Sequence, residues 1–196
     1  TQNGAWYTYE ADSDLLDKLE FKTNAGIVRA KADWTYLPTR DHVAGVANTW
    51  YDGSGANPQN VSTYGYVDPS DPDDGIDALG RRRVLQRTGQ AFTAAYHERY
   101  GYNTRSELTD AKYYTGQYPA GTADTSKDYA YTYDPIGNRV TYGDARNGAT
   151  WQYHSNALNQ YYQALAQASP QKFAQAYRYD LDGNVSEGYV AGDMNC

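Results

Sequence analysis

The chain has 196 residues, 22 of them tyrosine, and a formal net charge of −7 at pH 7. This length allows one domain or a run of repeats, and the negative charge argues against a nucleic-acid partner because phosphate binding needs a net basic surface. Tyrosine, threonine and valine favour strands, so the composition predicts an all-β protein. No apolar run approaches the roughly 18 residues that a membrane-spanning helix needs.

The first sixty residues contain two predicted units of strand, turn and return strand. In the first unit, residues 6–9 form a strand, and apolar side chains run through residues 15–21. The spacing of these apolar residues also suits a short helix, but the charged residues between them alternate as in a strand, which we favour. The turn residues 24–26 then predict a hairpin into Ile27-Val28.

The second unit repeats this order. Residues 33–36 form a predicted strand that ends before Pro38, and residues 43–50 form its return strand. Residues 52–60 are rich in glycine, asparagine and proline, which predicts a polar loop.

An aspartate-rich segment follows the third aromatic strand. Residues 68–77 contain clustered carboxylates, which calcium takes as ligands, and Asp71, Asp73 and Asp74 are the candidate ligands. The spacing departs from the EF-hand pattern because Pro72 occupies the place of the third ligand. We therefore favour a solvated Asp-Pro turn, with a calcium site as the alternative.

The segment after this insertion is predicted to form a meander. Residues 84–87 form a strand, 88–90 a turn and 92–102 a second strand, followed by a loop over residues 115–128. The basic run Arg81–Arg83 is typical of a solvated face that pairs with nearby carboxylates. Contact with an acidic cargo or partner is the alternative.

Residues 129–142 predict a β-hairpin. The three tyrosines of residues 129–133 alternate with small or β-branched residues, and this period of two places the rings on one face of a strand. Asp134-Pro135 favours a turn, and Gly137-Asn138 supplies the two residue types that best tolerate a positive φ. Residues 139–142 resume the alternation.

Helix and strand compete in residues 151–176. Apolar residues between 157 and 166 recur at intervals of three and four, as on one face of a helix, and residues 164–168 are good helix formers. The repeat pattern instead requires a turn and a strand at this place. Both remain open: a strand to about Leu165, then a short helical or loop excursion that ends at Ser169-Pro170.

An aromatic pair with one residue between its members recurs seven times, at intervals of 20 to 36 residues. The pairs are Tyr7 and Tyr9, Trp34 and Tyr36, Tyr64 and Tyr66, Tyr100 and Tyr102, Tyr131 and Tyr133, Trp151 and Tyr153, and Tyr177 and Tyr179. A polar or turn-forming residue follows most pairs, and then Gly80, Gly137, Gly183 or a divergent equivalent. Self-similarity at such a period is the signature of a repeat array. Equivalent positions stack when units stack, so we expect Tyr102, Tyr133, Tyr153 and Tyr179 on one face, mostly buried.

The best copies resemble a known family. Y-T-Y-D-P-I-G-N-R at residues 131–139 and Y-R-Y-D-L-D-G-N-V at 177–185 resemble the YD repeat of the RHS family, and residues 103–108 and 156–161 resemble its variants. The resemblance covers about residues 5–188. It implies an all-β repeat array of antiparallel β-hairpins, about seven units that form a curved or spiralling sheet strip. In bacterial members such strips form shells around a toxic C-terminal domain, and in teneurins they form part of an adhesion receptor.

The last residues resemble a different module. Residues 192–196, G-D-M-N-C, are similar to the opening of a dockerin-like calcium loop, in which Asp193 and Asn195 would be ligands. The loop stops before its remaining ligands, so alone it would hold no calcium. We therefore assign residues 1–190 to the repeat strip and 191–196 to the start of a calcium-binding tail.

The sequence predicts no catalytic or cofactor site. His42, His97 and His154 lie in separate predicted units without cysteine or glutamate at ligand spacing, which argues against zinc. Residues 180–184 echo a calcium loop, but Val185 stands where that loop has glycine. The RHS family's self-cleaving site lies beyond the repeat core, and the resemblance implies that this chain lacks it. We expect a protein that is not an enzyme.

These patterns predict a structural protein. The first hypothesis is an extracellular β scaffold that self-associates into a filament or an adhesive surface, because a short strip exposes two strand edges and neither end resembles a capping unit. The alternatives are a wall segment of an RHS shell that encapsulates a toxin and a glycan-binding module, since aromatic faces stack on sugars.

Partners and location follow from the same reasoning. We expect the strands around Trp6–Tyr9 and Tyr177–Tyr179 to contact other copies of the chain or further YD repeats, head to tail. The chain begins at Thr1 without a targeting segment and has a single cysteine, Cys196, which excludes an internal disulfide. We expect an excised or processed piece of a longer protein, and the resemblance implies a bacterial extracellular or cell-surface location.

Overall fold

The computed structural model describes residues 3–38, 40–66, 75–167 and 173–192. In these ranges it contains fifteen β-strands and one 3-10 helix, Thr125–Lys127, and every pairing between strands is antiparallel. The strands are β1 (Gly4–Tyr9), β2 (Leu16–Lys22), β3 (Val28–Leu37), β4 (Arg40–Tyr51), β5 (Pro58–Gly65), β6 (Val84–Thr88), β7 (Tyr96–Tyr102), β8 (Leu108–Thr115), β9 (Thr122–Ala123), β10 (Tyr129–Tyr133), β11 (Arg139–Asp144), β12 (Ala149–Ser155), β13 (Tyr161–Gln167), β14 (Phe173–Tyr179) and β15 (Val185–Gly192). The predicted all-β class of antiparallel hairpins is confirmed.

The chain divides into two compact units. The first comprises residues 1–99 and 114–123, and the second comprises residues 100–113 and 124–196. In the first unit, β1 to β7 pair in chain order, and the end of β8 pairs with β9. In the second unit, β8 pairs with β10, and β10 to β15 again follow chain order. Sequential pairing of this kind is what a run of hairpins produces.

One face of the second unit is aromatic. Tyr131 and Tyr142 are cross-strand partners on β10 and β11, and Tyr142 is in turn opposite Trp151 on β12. The registers place Tyr133, Tyr153 and Tyr179 on this same face. All three are half-buried, and so is Tyr102, which the repeat pattern predicted to be mostly buried. Burial of these four rings is therefore less than predicted.

The opposite face of the same strands carries small and polar residues. Thr132 and Thr141 face each other across β10 and β11 with their hydroxyl oxygens 2.6 Å apart. Gly143 and Thr150 continue this face on β11 and β12. The alternation that the sequence showed thus separates an aromatic face from a small, polar one.

Buried side chains are few and mostly aliphatic in the part of the chain that the structure describes. They are Leu37, Ile76, Val84, Leu85, Ala111, Ala164, Ala166 and Ala174, together with Ser62 and His97. The histidine is 0% exposed and is the largest side chain buried to that degree among the described residues. Burial of the charged form of this titratable side chain would be costly.

The meander after β6 differs from its prediction. The second strand was expected from Phe92, but β7 begins at Tyr96 because residues 89–95 form turns and bends. Gly89 has φ +109°, and a Cβ there would lie 2.7 Å from the carbonyl oxygen of Val61. Phe92 leaves the strand direction, and its ring packs edge-on against Tyr64 and Tyr96, at centroid distances of 5.9 and 5.7 Å.

Three other segments depart from the sequence interpretation. The helical alternative for residues 151–176 is wrong for the described part of that range, which contains β12, β13 and the start of β14. Residues 168–172 lie outside the described ranges. The predicted loop 115–128 contains β9 and the 3-10 helix, and the loop 52–60 ends early at the start of β5. Within the described residues, no helix has the length and apolar character needed to cross a membrane.

Candidate functional site: the repeated turn

Five turns that follow copies of the aromatic pair share one backbone geometry, which residues 23–27 also adopt. They span residues 77–81, 103–107, 134–138, 156–160 and 180–184. In each, the first N–H donates to the carbonyl of the fifth residue, and the fourth N–H donates to the carbonyl of the first. Because the two bonds recur in every copy, the divergent sequences at 103–107 and 156–160 belong to the same structural repeat as the two clear ones.

The first side chain of each turn fills the interior of the loop. The Asp134 carboxylate accepts hydrogen bonds from the N–H groups of Ile136 and Asn138, at 3.0 and 2.9 Å, and from Asn138 Nδ2 at 2.8 Å. Asn156 accepts two equivalent N–H groups through its own amide oxygen. Aspartate and asparagine favour turns because a short polar side chain can bind the backbone two residues further on.

These hydrogen bonds set the ionisation of the carboxylates. Desolvation acts to raise the pKa of Asp134, but the hydrogen bonds from Asn138 and from the backbone together hold that pKa below its ordinary value. The backbone N–H and side chain of Asn184 likewise lower the pKa of Asp180. Both carboxylates are therefore ionised acceptors at neutral pH.

The first and fifth side chains of each turn are complementary. Asp134 accepts from Asn138, Asn103 Nδ2 donates to Glu107 at 2.5 Å, and Asn156 Nδ2 donates to Gln160 at 2.8 Å. In the first unit, Arg81 donates to Asp77, with Nη2 and Oδ2 2.6 Å apart. The sequence did not reveal this rule because donor and acceptor exchange positions from copy to copy while the bond is kept.

The fourth residue of each turn has a positive φ. Gly80, Gly137 and Gly183 have φ of +78°, +97° and +86°. The other two copies use Ser106 and Asn159, with φ of +66° and +61°. Values near the left-handed region are accessible to a few non-glycine residues, whereas glycine extends the range without steric cost.

A tyrosine immediately before the turn connects one repeat to the repeat before it. Tyr133 Oη donates to the carbonyl of Leu108, 2.9 Å away, and Leu108 is the residue directly after the preceding turn in that unit. Tyr179 Oη donates in the same way to the carbonyl of Tyr161 at 2.8 Å. We call this hydrogen bond the tyrosine clip. It explains why tyrosine and aspartate occur side by side: the tyrosine binds the previous turn and the aspartate closes its own.

One copy makes its clip from the other strand. Ser155 stands where a tyrosine precedes the turns 103–107, 134–138 and 180–184. Tyr161, just after the turn 156–160, instead accepts a hydrogen bond through its hydroxyl from the N–H of Arg139 at 2.6 Å. Arg139 follows the preceding turn, as Leu108 does. No sequence pattern predicts this exchange, because the repeat assigns Tyr161 to the return strand.

Turns of the second unit also touch directly. The Arg105 guanidinium donates to the carbonyls of Asp134 and Pro135, at 2.7 and 2.6 Å. Asn138 Nδ2 donates to Asn159 Oδ1 at 3.0 Å. Consecutive turns are thus joined along one edge of the strands by side-chain hydrogen bonds.

Arginine side chains fill the spaces between rings. The Arg139 guanidinium lies 4.3 Å from the centroid of Tyr153 and 5.6 Å from that of Tyr142. In the first unit, Arg82 lies 3.8 Å from the ring of Tyr66. Such cation–π contacts contribute about 0.5–2 kcal/mol each, and they place the basic run 81–83 within the protein's own contacts.

The predicted metal candidates are not placed. Asp71, Asp73, Asp74, Asp193 and Asn195 all lie outside the described residues. Among the residues that the structure describes, no group of three His, Cys, Asp or Glu side chains could hold a metal ion.

A groove of about 670 Å³ opens between the turns 156–160 and 180–184. Tyr162, which is 46% exposed, and Tyr177 line it together with polar residues of the two turns. Asn156 and Asp180 use their side chains inside their own turns. We assign no glycan site to the groove, since its polar groups already serve the fold.

Comparison with known proteins supports the fold. No family model and no curated protein matches the sequence. The crystal structure of TcdB2-TccC3 is similar over 97% of this chain with a TM-score of 0.58 and 12% identity, and this chain spans 11% of that one. A porin-like protein from Bacteroides uniformis is similar over 96% of this chain and 88% of its own, with a TM-score of 0.41 and 9% identity. What the comparison with TcdB2-TccC3 shows is the fold alone, an antiparallel β-sheet built from successive hairpins.

Proposed function

We propose that this chain is a non-catalytic structural module, a length of β wall in a scaffold of YD repeats. The observation that carries the proposal is the tyrosine clip joined to the closed turn, repeated along the chain. Such a unit uses its polar groups to fix the next unit, which is what a wall requires. The fold similarity to TcdB2-TccC3, of which this chain spans 11%, agrees with a segment of a larger RHS-like array.

The chemistry of the turns favours this role over catalysis. A general acid or base needs a pKa near the working pH, whereas the pKa of Asp134 and of Asp180 is lowered by hydrogen bonds within the turn. Both oxygens of Asp134 are occupied by its own turn. These carboxylates therefore act as structural acceptors.

The edge strands indicate how the wall extends. Tyr9 stands before a turn at residues 10–15, in which the Glu10 N–H donates to the Leu15 carbonyl, as Tyr133 and Tyr179 stand before their turns. Tyr9 is 54% exposed. At the other edge, Val185 follows the turn 180–184 just as Leu108 follows the turn 103–107. The carbonyl of Val185 therefore corresponds to the carbonyl of Leu108, which is the acceptor of a clip. One edge thus presents the donor of a clip and the other presents the acceptor. Further repeats or other copies of the chain would complete both, head to tail.

A module with this role could belong to either of two assemblies. The clip complementarity of the edges favours a self-associating scaffold or filament, and the RHS-like fold supports a wall segment of a shell around a toxin cargo. From the RHS resemblance we propose an extracellular or bacterial cell-surface setting for either.

Solution scattering and electron micrographs over a range of concentrations test the proposal. The strand around Tyr177–Tyr179, which the sequence predicted to be the terminal one, is β14, and it pairs with both β13 and β15, so the edge strand is β15 instead. We expect the average particle mass to rise with concentration through strand addition at β1 and β15. Tyr9→Phe, which removes the clip donor at one edge, should weaken this association without changing the melting temperature. A compact monomer at the highest concentration, with the amides of β1 and β15 exchanging freely, would refute strand addition.

Two proline variants locate the contact. Adjacent N–H groups of a strand point to opposite edges, so of Ser186→Pro and Glu187→Pro one removes an N–H facing β14 and the other an N–H facing outward. The inward variant should lower stability, and the outward one should keep stability and reduce association. If neither variant reduces association, β15 is not the edge that adds strands.

A further inference from the structure

A short segment in the first unit packs against β6 and β7. Residues 116–121, which we call the strap, connect β8 to β9 and lie against β6 and β7. The N–H of Tyr118 donates to Gln86 Oε1 at 2.7 Å, and Arg99 Nη2 donates to the carbonyl of Pro119 at 2.9 Å. Gly116 N–H donates to the carbonyl of Ala95 at 2.8 Å. The strap is thus held by a few polar contacts.

His97 lies beneath the strap and is 0% exposed. Its ring stacks on Tyr114 with centroids 4.8 Å apart and planes at 4°, and Tyr118 meets it edge-on at 5.3 Å. A Cβ at Gly121 would lie 2.5 Å from His97 Cε1, so the strap closes on the ring only with glycine there. The imidazole is therefore enclosed by β7, β8 and the strap.

The hydrogen bonds of the ring define its neutral tautomer. His97 Nδ1 is 3.1 Å from the carbonyl oxygen of Gly116. A carbonyl oxygen can only accept, so Nδ1 carries the proton and Nε2 is a bare lone pair. Nε2 is buried, and it has no hydrogen-bond partner within the described part of the chain. A proton added at Nε2 would thus be buried without an acceptor.

The groups that face the ring include one cation, Arg99, and, among the described residues, no carboxylate that would stabilise a protonated histidine. They are Arg99 from β7, Tyr114 from β8 and Tyr118 from the strap, and β6 contributes the uncharged Gln86. Tyrosine is neutral below about pH 9, and none of these groups is a carboxylate. Burial, and to a lesser extent the Arg99 cation, lower the pKa of His97, while the Gly116 carbonyl opposes them.

We propose that the strap is an acid-sensitive latch, in which protonation of His97 at Nε2 releases residues 116–121 from β6 and β7. Once the strap has lifted, the imidazolium reaches water and moves out of the enclosure it shares with Arg99. The latch opens locally, since the contacts that hold the strap are separate from the strand pairings below it. The scaffold would thereby present a different surface in an acidic compartment from the one it presents at neutral pH.

The direction of the pH dependence follows from linkage. A histidine with a lower pKa in the closed state than in the open state stabilises the closed state fully above the open-state pKa, about 6.5. That stabilisation is lost as the pH falls below this value, until His97 becomes protonated in the closed state as well. Within this window the open population rises about tenfold for each pH unit.

Amide exchange measured residue by residue, corrected for the intrinsic effect of pH, tests the latch between pH 7.5 and 5. The reporters are the amides of Gly116 and Tyr118. We expect their protection to fall about tenfold per pH unit below about 6.5, while the Tyr66 amide, which donates to Ala44 in the same unit, keeps its protection. Constant protection at the strap, or an equal fall at Tyr66, would overturn the proposal.

Variants identify the group that titrates. His97→Gln cannot be protonated and should abolish the pH-dependent fall, whereas His154→Gln should leave it intact. Should His97→Gln fail to fold, the wild-type NMR titration of the His97 ring provides the second measurement, and its protonation must accompany the loss of protection at Tyr118. A His97 that titrates while the strap stays closed, or a fall that persists in His97→Gln, excludes the latch.

Discussion

Replacing Gly137 by alanine measures what the repeated turn requires of its fourth residue. Gly137 has φ +97°, well beyond the left-handed minimum near about +57°. An L-residue there costs about 1–2 kcal/mol, against a gain of about 0.4–1 kcal/mol from the less flexible unfolded chain. The new Cβ would also lie 3.2 Å from Glu107 Oε1, in a carboxylate held by Asn103 and Arg105. We expect a net loss of about 1 kcal/mol or slightly more.

The matched control is Gly188 on β15, in the same unit. Its φ is not positive, and a Cβ there would meet nothing closer than Tyr177 Cδ1 at 3.8 Å. Gly188→Ala should therefore be neutral or slightly stabilising. Thermal and urea unfolding of the wild type and both variants provide the measurement, and Gly137→Ala should melt about 2–4 °C lower. Equal melting temperatures for the two variants would refute the shared turn geometry.

Two further predictions address the clip and the closed turn. Tyr133→Phe removes the donor to the Leu108 carbonyl and should cost about 1 kcal/mol, whereas Tyr162→Phe on the exposed groove should cost less; equal losses in urea unfolding would count against the clip. Since the pKa of Asp180 is lower in the folded protein than its ordinary value of 3.8, its contribution is present above about pH 4 and is lost as the pH falls through the folded pKa. Asp180→Asn keeps an acceptor for the Asn184 N–H, and in this variant the melting temperature should decrease less between pH 5 and 2. An unchanged decrease would show that Asp180 does not cause the acid destabilisation.

The sequence predicted the turns at 134–138 and 180–184 because each of their residue types meets a different conformational or hydrogen-bonding requirement of the turn. Aspartate binds the backbone two residues ahead, glycine accepts the positive φ, and asparagine returns a hydrogen bond to the aspartate. The copies at 103–107 and 156–160 are identified from the sequence by their resemblance to variants of the repeat. Their equivalence could be explained only from the structure, since Asn103 and Glu107 exchange the roles of donor and acceptor.

What sequence patterns could not predict depends on contacts between distant residues. The enclosure of His97 joins Gln86, Tyr118 and Gly121, and no periodicity relates these positions. The strand boundary at Tyr96 was missed for a similar reason: Phe92 has strand-forming character, but its ring packs against Tyr64 and Tyr96 instead of extending β7. Local propensity was overridden by packing in both cases.

The order of tyrosine and aspartate in the repeat has a mechanical consequence. Tyr133 binds the residue after the previous turn, and Asp134 closes the turn that follows. Because these two residues are adjacent in the chain, the position of each turn depends on the position of the turn before it. Stability in such an array is a sum of unit and nearest-neighbour contributions, and the clip belongs to the second kind. A unit that loses its clip, as at Ser155, must replace it or loosen two turns at once. Tyr161 replaces it from the opposite strand, with its hydroxyl as the acceptor from the Arg139 N–H, so the repeat at 156–160 keeps a hydrogen bond to the preceding repeat.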